Sequence, residues 1–182
     1  MLLGNYQIIL FDWGDTLMRD DPLQTSAMVT WPNVELVDGA DRLVAHLTSN
    51  GYRLGLATSA AVSNENEIRS ALERVKINKY FEKIYCFGNT GLQKPSAAFY
   101  MYILEDLNLK PQDVLMIGDN LEKDVLAPNR LGIPAIWYNP STPDAKAGDI
   151  CFTVHHLADV TAWFEQSTHI HSRRADKSDS SK

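Results

Sequence analysis

The sequence predicts an α/β protein, a Rossmann-like doubly wound parallel sheet of about five strands with helices on both faces and no separate cap domain. Three observations carry that prediction. Short apolar runs recur along the chain, starting with Gln7-Ile8-Ile9-Leu10-Phe11. Segments with apolar residues at helical spacing separate them, such as Ile68, Ala71, Leu72 and Val75. Polar residues able to do chemistry cluster just after the apolar runs, as at Asp12, Thr58-Ser59 and Asp119. Strands that alternate with helices form a parallel sheet covered on both faces, and ligands of such sheets bind beyond the carboxyl ends of the strands.

Residues 7–11 suit a central strand buried on both faces, because no polar residue interrupts Ile8 to Phe11. From Met18 to Val37, Pro22, Pro32 and several turn-formers leave no helical period, so a loop is expected. A helix follows from near Gly39 to about Ser49, with Leu43, Val44 and Leu47 as its apolar stripe and Asn50-Gly51 as its stop. Residues 53–57 form the second strand. Ser63 is the expected N-cap of a helix over 64–76. The third strand is placed at 83–87, a helix at 96–107 after Pro95, and the fourth strand at 113–117. A helix over 121–131 leads to the fifth strand at 135–138, and a short strand near 150–154 with a helix near 155–166 closes the fold. The domain is therefore expected to span 1–166. Residues 167–182, rich in Ser, Lys, Arg and Asp with only Ile170 apolar and larger than Ala, are expected to be a disordered tail.

Composition narrows the class. The chain has 182 residues, 45% of them hydrophobic and 22% charged, enough for a buried core in a globular protein. No apolar run approaches the roughly 20 residues that span a bilayer, and the N-terminus has no leader-like pattern, so no membrane partner and a cytoplasmic location are expected. Two widely separated cysteines, Cys86 and Cys151, agree with a reducing compartment and have no metal-like spacing. A net charge of −6 argues against a nucleic-acid partner, whose affinity rests on Lys and Arg. It does not exclude a small anionic substrate, for which a local cation suffices.

The polar residues after the strands come in a particular order. Phe11-Asp12-Trp13-Gly14-Asp15-Thr16-Leu17 follows the first strand, Leu56-Ala57-Thr58-Ser59 ends the second, and Lys94-Pro95 lies beyond the third. Gly118-Asp119-Asn120-Leu121-Glu122-Lys123-Asp124 follows the fourth. This order resembles the four motifs of the haloacid dehalogenase superfamily, over about residues 5 to 140. The resemblance implies a magnesium-dependent hydrolase, with phosphatase as the favoured activity. Asp12 would attack phosphorus and form an aspartyl-phosphate, splitting one displacement into two. Mg²⁺ would be held by Asp12, the Gly14 carbonyl and Asp119, with Asp124 nearby through water or through Lys94. Thr58 and the Ser59 amide would bind phosphate oxygens, and Lys94 would steady the nucleophile and the phosphoryl group. Thr16 is expected to support the loop through its hydroxyl, and Trp13 to pack or to wall a pocket. The substrate would be phosphorylated, small or macromolecular.

Two departures from the family pattern matter. Phosphatases of the superfamily carry a second Asp two residues after the nucleophile, as general acid and base, and this chain has Gly14 there. Proton transfer of that kind is worth roughly 10²–10⁴-fold. The next residue, Asp15, stands where the family usually has Gly. It either takes over the acid/base role or tolerates a left-handed backbone in place of that Gly. The second departure is size: the segments from Leu17 to Leu56 and from Ala60 to Gln93 are filled by core elements, leaving only the loop from Met18 to Val37, with Met28 and Trp31, as a partial cover. Gly14 and the open site keep two alternatives in view, a dehalogenase or phosphonate-type hydrolase and a weakly active phosphate-binding or protein-interaction module.

Overall fold

The computed structural model describes residues 6–165. Six strands form one parallel sheet: β1 (Ile8–Phe11), β2 (Arg53–Ala57), β3 (Phe81–Tyr85), β4 (Val114–Gly118), β5 (Ala135–Tyr138) and β6 (Cys151–Val154). Their order is β3-β2-β1-β4-β5-β6, every neighbouring pair parallel. The short strand expected near 150–154 is a full member of the sheet, so the count is six rather than about five. No segment among the described residues forms a cap domain.

The side-chain period of a strand explains how the sheet is covered. Ile9 and Phe11 join one apolar cluster, with Leu43, Leu47, Ile68, Leu72 and Phe164. Ile8 and Leu10 point to the other face and join Phe99, Tyr100, Ile103 and Val125. Helices α1 (Ala40–Ser49) and α2 (Glu65–Arg74) thus lie on one face with α6 (157–165). Helix α4 (Ala97–Leu107) lies on the other, and α3 (Phe87–Thr90) and α5 (Ala127–Asn129) are short.

Four elements differ from expectation, each for a local reason. Asn64, not Ser63, caps α2, because Glu67 three residues on closes a capping box: Asn64 Oδ1 accepts from the Glu67 amide at 3.1 Å and Glu67 Oε2 accepts from the Asn64 amide at 2.8 Å. The third strand begins at Phe81 rather than 83. As an edge strand it tolerates Glu82 and Lys83, which pair outward with Arg53 and Asp106, and Cys86 already caps α3. The helix expected over 121–131 is a wide π-helical turn, Leu121–Leu126, followed by α5. Pro128 lies just beyond that turn and has no amide to extend an ordinary ladder back to Asp124. The last helix starts at 157, after a bend at 155–156. The expected tail, 167–182, and residues 1–5 and 166 of the expected domain lie outside the described residues.

The segment between Met18 and Val37 is the loop the sequence implies, with one 3₁₀ turn at Met28–Thr30. It is firmly held. Met28 and Trp31 are buried in the first apolar cluster, and the Arg74 guanidinium donates to the carbonyls of Val29, Trp31 and Pro32 at 3.0, 2.7 and 3.0 Å. One side chain at the end of α2 thus satisfies three carbonyls that no ladder supplies. Replacing it by Leu keeps the bulk and removes the donors. Arg74→Leu is expected to raise amide hydrogen exchange within 26–34 well above that of the sheet; unchanged exchange there would show that the apolar contacts alone hold the loop.

Candidate active site

Sheet register brings the chemistry together. Phe11 pairs with Leu56 on one side and Ile117 on the other. The chain following β1 therefore emerges level with Ala57-Thr58 and Gly118-Asp119. Strand order also reverses between β1 and β4, since the chain moves from β1 to β2 and β3 on one side and from β4 to β5 and β6 on the other. That reversal opens a crevice at the carboxyl ends of the strands. A cleft of about 380 Å³ occupies it, lined by Asp12, Gly14, Asp15, Thr58, Ser59, Lys94 and Asp119 among others.

At its floor, Lys94 Nζ lies 2.6 Å from Asp12 Oδ1 and 2.5 Å from Asp124 Oδ1. Lys94 and Asp124 are buried, their side chains 1% and 0% exposed. Burial alone would neutralise the Lys94 ammonium, but Asp12 and Asp124 outweigh it and raise its pKa. Burial also pushes Asp124 up to about 6, a rise limited by Lys94 and by the Asn120 amide on its other oxygen at 3.0 Å. Asp124 thus acts on Lys94 and does not line the cleft. Gly118 is required for this. A Cβ there would stand 2.4 Å from the Asp124 carboxyl carbon, so any side chain would displace that carboxylate.

Asp119 completes the cluster. Suitable oxygens of Asp12, Asp119 and Asp124 lie within 4.8 Å of one another. Thr16, whose hydroxyl was expected to support its own loop, instead donates to Asp119 Oδ1 at 3.2 Å and accepts from the Asp119 amide at 3.0 Å. Burial and the charges of Asp12, Asp124 and Asp15 push the Asp119 carboxyl up to about 7. A divalent cation would relieve that crowding, and hard oxygen ligands at this spacing would suit Mg²⁺.

The remaining expected residues fall as follows. The buried Thr58 hydroxyl accepts from the Ala60 amide at 3.1 Å, which leaves its proton free for a ligand. Ser59 Oγ donates to the Lys94 carbonyl at 3.4 Å, tying the loop after β2 to the lysine. Trp13 is buried and walls the cleft. Asp15 has φ +52°, the left-handed conformation weighed above, and its Oδ1 accepts from the Asp20 amide at 3.0 Å. Sequence reasoning missed three contributors. Trp137 Nε1 donates to the Asp119 carbonyl at 2.8 Å. Tyr100 Oη donates to the Lys123 carbonyl at 2.5 Å and braces the wide turn that carries Asp124. Asp20 lines the cleft from the cover loop. Only the wide turn's GDxxxxD spacing was readable in advance; a Trp on β5 and an Asp in a loop carry no local signal.

A family model described as haloacid dehalogenase-like hydrolase matches residues 21–138, which include the second to fourth groups of site residues. The chain belongs to the haloacid dehalogenase-like hydrolase family. Several curated relatives that it matches are named as phosphatases. The glyceraldehyde 3-phosphate phosphatase of Pyrococcus abyssi is 28% identical over 102 residues, which are 56% of this chain and 42% of that protein. The chain thus spans less than half the length of this relative. Among solved structures, an uncharacterized protein from Listeria monocytogenes superposes with a TM-score of 0.77 at 24% identity, covering 90% of this chain and 99% of that one. The haloacid dehalogenase-type hydrolase YfnB of Bacillus subtilis, crystallised bound to magnesium, gives a TM-score of 0.67 at 17% identity, covering 86% and 97%. Both likenesses concern the fold.

The raised carboxyl of Asp119 fixes the sign of a pH effect. The folded state holds that proton more tightly than the unfolded chain, whose Asp titrates near about 3.9. Its contribution therefore favours folding at low pH and is lost as pH climbs from about 4 towards about 7. With chelator present, wild type is expected to lose stability relative to Asp119→Asn across that window in urea titrations. Parallel pH profiles would contradict the crowding of carboxylates described here.

Proposed function

We propose that the protein is a Mg²⁺-dependent phosphatase acting on a phosphate monoester through an aspartyl-phosphate on Asp12. One observation carries this reading: a buried lysine fixes Asp12 by one oxygen at 2.6 Å, in a cleft open to ligands, with a second strand-end carboxylate within 4.8 Å. Lys94 holds Oδ1 of Asp12, orienting the carboxylate without a flexible intermediary. Held so, the carboxylate attacks phosphorus in line, and the ester oxygen leaves on the opposite side. The Thr58 hydroxyl and the Ser59 amide bind the non-bridging oxygens, where negative charge gathers. Asp12, the Gly14 carbonyl and Asp119 would hold Mg²⁺, which when bound screens the meeting of two anions. Asp124 keeps Lys94 charged and in place.

Phosphorylated small molecules are the substrate class, as the phosphatase-named relatives suggest, and no nucleic acid or membrane enters the reading. No helix of the described residues is long and apolar enough to cross a membrane. The free thiols of Cys86 and Cys151 suit the cytoplasm, where we place the protein. Dehalogenase chemistry, with Asp12 attacking carbon, is disfavoured by Asp119, which Thr16 holds and which would complete a cation site that such a reaction does not use.

Asp12→Asn is expected to abolish p-nitrophenyl phosphate hydrolysis, by at least about 10³-fold if the covalent route is used, while circular dichroism stays unchanged. Turnover that survives in a folded Asp12→Asn protein would end the proposal. The cation assignment is tested by calorimetry without substrate. Mg²⁺ should bind wild type and raise its melting temperature, and Asp119→Asn should lose most of both effects. Equal Mg²⁺ affinity in the two proteins would place the ion elsewhere.

A further inference from the structure

Cleavage of an alkyl phosphate needs a proton on the departing oxygen, because a bare alkoxide is a poor leaving group. Lys94 is committed to two carboxylates, and Asp12 and Asp119 already have partners in Lys94 and Thr16. Two further carboxylates line the cleft, Asp15 and Asp20. They differ in what their oxygens do. Asp15 Oδ1 accepts from the Asp20 amide at 3.0 Å and so ties down the backbone of Asp20. Asp20 Oδ1 accepts from the Asp21 amide at 2.9 Å, which sets the plane of its carboxylate. Among the described residues, Asp20 Oδ2 accepts no hydrogen bond. It stands against Gly14: a Cβ built on that glycine would meet Asp20 Oδ2 at 3.3 Å, and the three atoms nearest to it all belong to Asp20. A carboxylate from the cover loop therefore borders the space that a side chain at residue 14 would enter, in the same cleft as Asp12.

We propose that Asp20 is the general acid and base of this site, reaching it from the loop across Gly14, and that Asp15 is the residue that positions it. The inference rests on the phosphatase reading. As Asp12 attacks and the phosphorus–oxygen ester bond breaks, the Asp20 carboxyl gives its proton to the leaving alkoxide, which departs as an alcohol. A water molecule then attacks phosphorus in the aspartyl-phosphate and gives a proton to the Asp20 carboxylate. The Asp12–phosphorus bond breaks, inorganic phosphate leaves, and Asp20 is protonated for the next cycle. Gly14 is part of the device, since a larger residue there would press on the incoming carboxylate.

Rapid-quench kinetics with substrate in excess, on an alkyl ester, glycerol 2-phosphate, and an aryl ester, p-nitrophenyl phosphate, test this. p-Nitrophenolate leaves without help, so the Asp20→Asn variant should show an aryl burst of about one product per enzyme followed by slowed turnover. Its alkyl cleavage should fall by roughly 10²-fold more than its aryl burst rate. Asp15→Ala should shift the same alkyl-to-aryl ratio in the same direction, by less. Placing a carboxylate at residue 14 in a background without the loop carboxylate, Gly14→Asp with Asp20→Ala, should recover part of the alkyl rate lost in Asp20→Ala. Equal losses on both esters in Asp20→Asn, or no loss on either, would overturn the role of Asp20 while leaving Asp12 chemistry intact. Absence of Asp12-dependent cleavage of either ester by wild type would instead sink the phosphatase reading and this inference with it.

Discussion

A single ammonium group, the Nζ of Lys94, sits almost out of reach of water between two carboxylates, and the surrounding structure is arranged to make that bearable. Taking a charge from water into a protein interior costs several kcal/mol, and attraction to a partner offsets it only when the geometry is close. The contacts to Asp12 and Asp124, at 2.6 and 2.5 Å, meet that condition. Breaking such a pair from one side typically costs about 3–5 kcal/mol, because the remaining charge stays buried. The constraint spreads outward. Asp124 reaches the lysine only because Gly118 has no side chain, and it is carried on a wide turn that Tyr100 and Asn120 brace. Asp12 reaches it because β1 lies between β2 and β4 in a register that ends all three strands near one level.

The fold was legible in the sequence wherever burial decides. β1 and β4 are covered on both faces, so their residues must all be apolar, and Ile8–Phe11 and Val114–Ile117 read at once as central strands. β3 was misplaced because an edge strand need not be apolar, and Glu82 and Lys83 find partners sideways. The wide turn after β4 was read as an ordinary helix because periodicity over six residues cannot separate the two helical forms; the difference lies in hydrogen-bond partners.

The site divides along the same line. Asp12, Thr58, Lys94 and Asp119 were legible because each follows a recognisable strand or loop at a fixed place in the chain. What tethers them was legible only in part. Thr16 stands close to Asp12 in sequence, but its partner is Asp119, and Trp137 reaches the same residue from β5. Long-range hydrogen bonds leave no spacing in the sequence. Asp20 was invisible for a further reason. Its relation to Gly14 depends on the loop folding back, which Met18 pairing with both Gly14 and Leu36 secures. At the glycine that looked like a loss in the sequence, an added Cβ would lie 3.3 Å from the Asp20 carboxylate.

Charge balance ties these features to function. Four carboxylates, Asp12, Asp15, Asp20 and Asp119, line the cleft against two ammonium groups, Lys94 and Lys123. Lys94 is spent on Asp12 and on Asp124 behind it, so the cleft presents an excess of negative charge to any incoming phosphate. At about 4 Å two unit charges still interact by roughly 4 kcal/mol at an effective dielectric constant near 20. A phosphate dianion would therefore be repelled from the empty cleft. The excess is concentrated where Asp12 and Asp119 converge, and the elevated carboxyl of Asp119 records it. A cation seated there reverses the sign of the local field at the place where the phosphoryl group must sit. On the reading proposed, cation and substrate binding are then linked: each lowers the free energy of the other by neutralising the charge it would otherwise face. On that reading, the carboxylates that make the cleft inhospitable to a bare anion are the same groups that would make it selective for an anion accompanied by a metal.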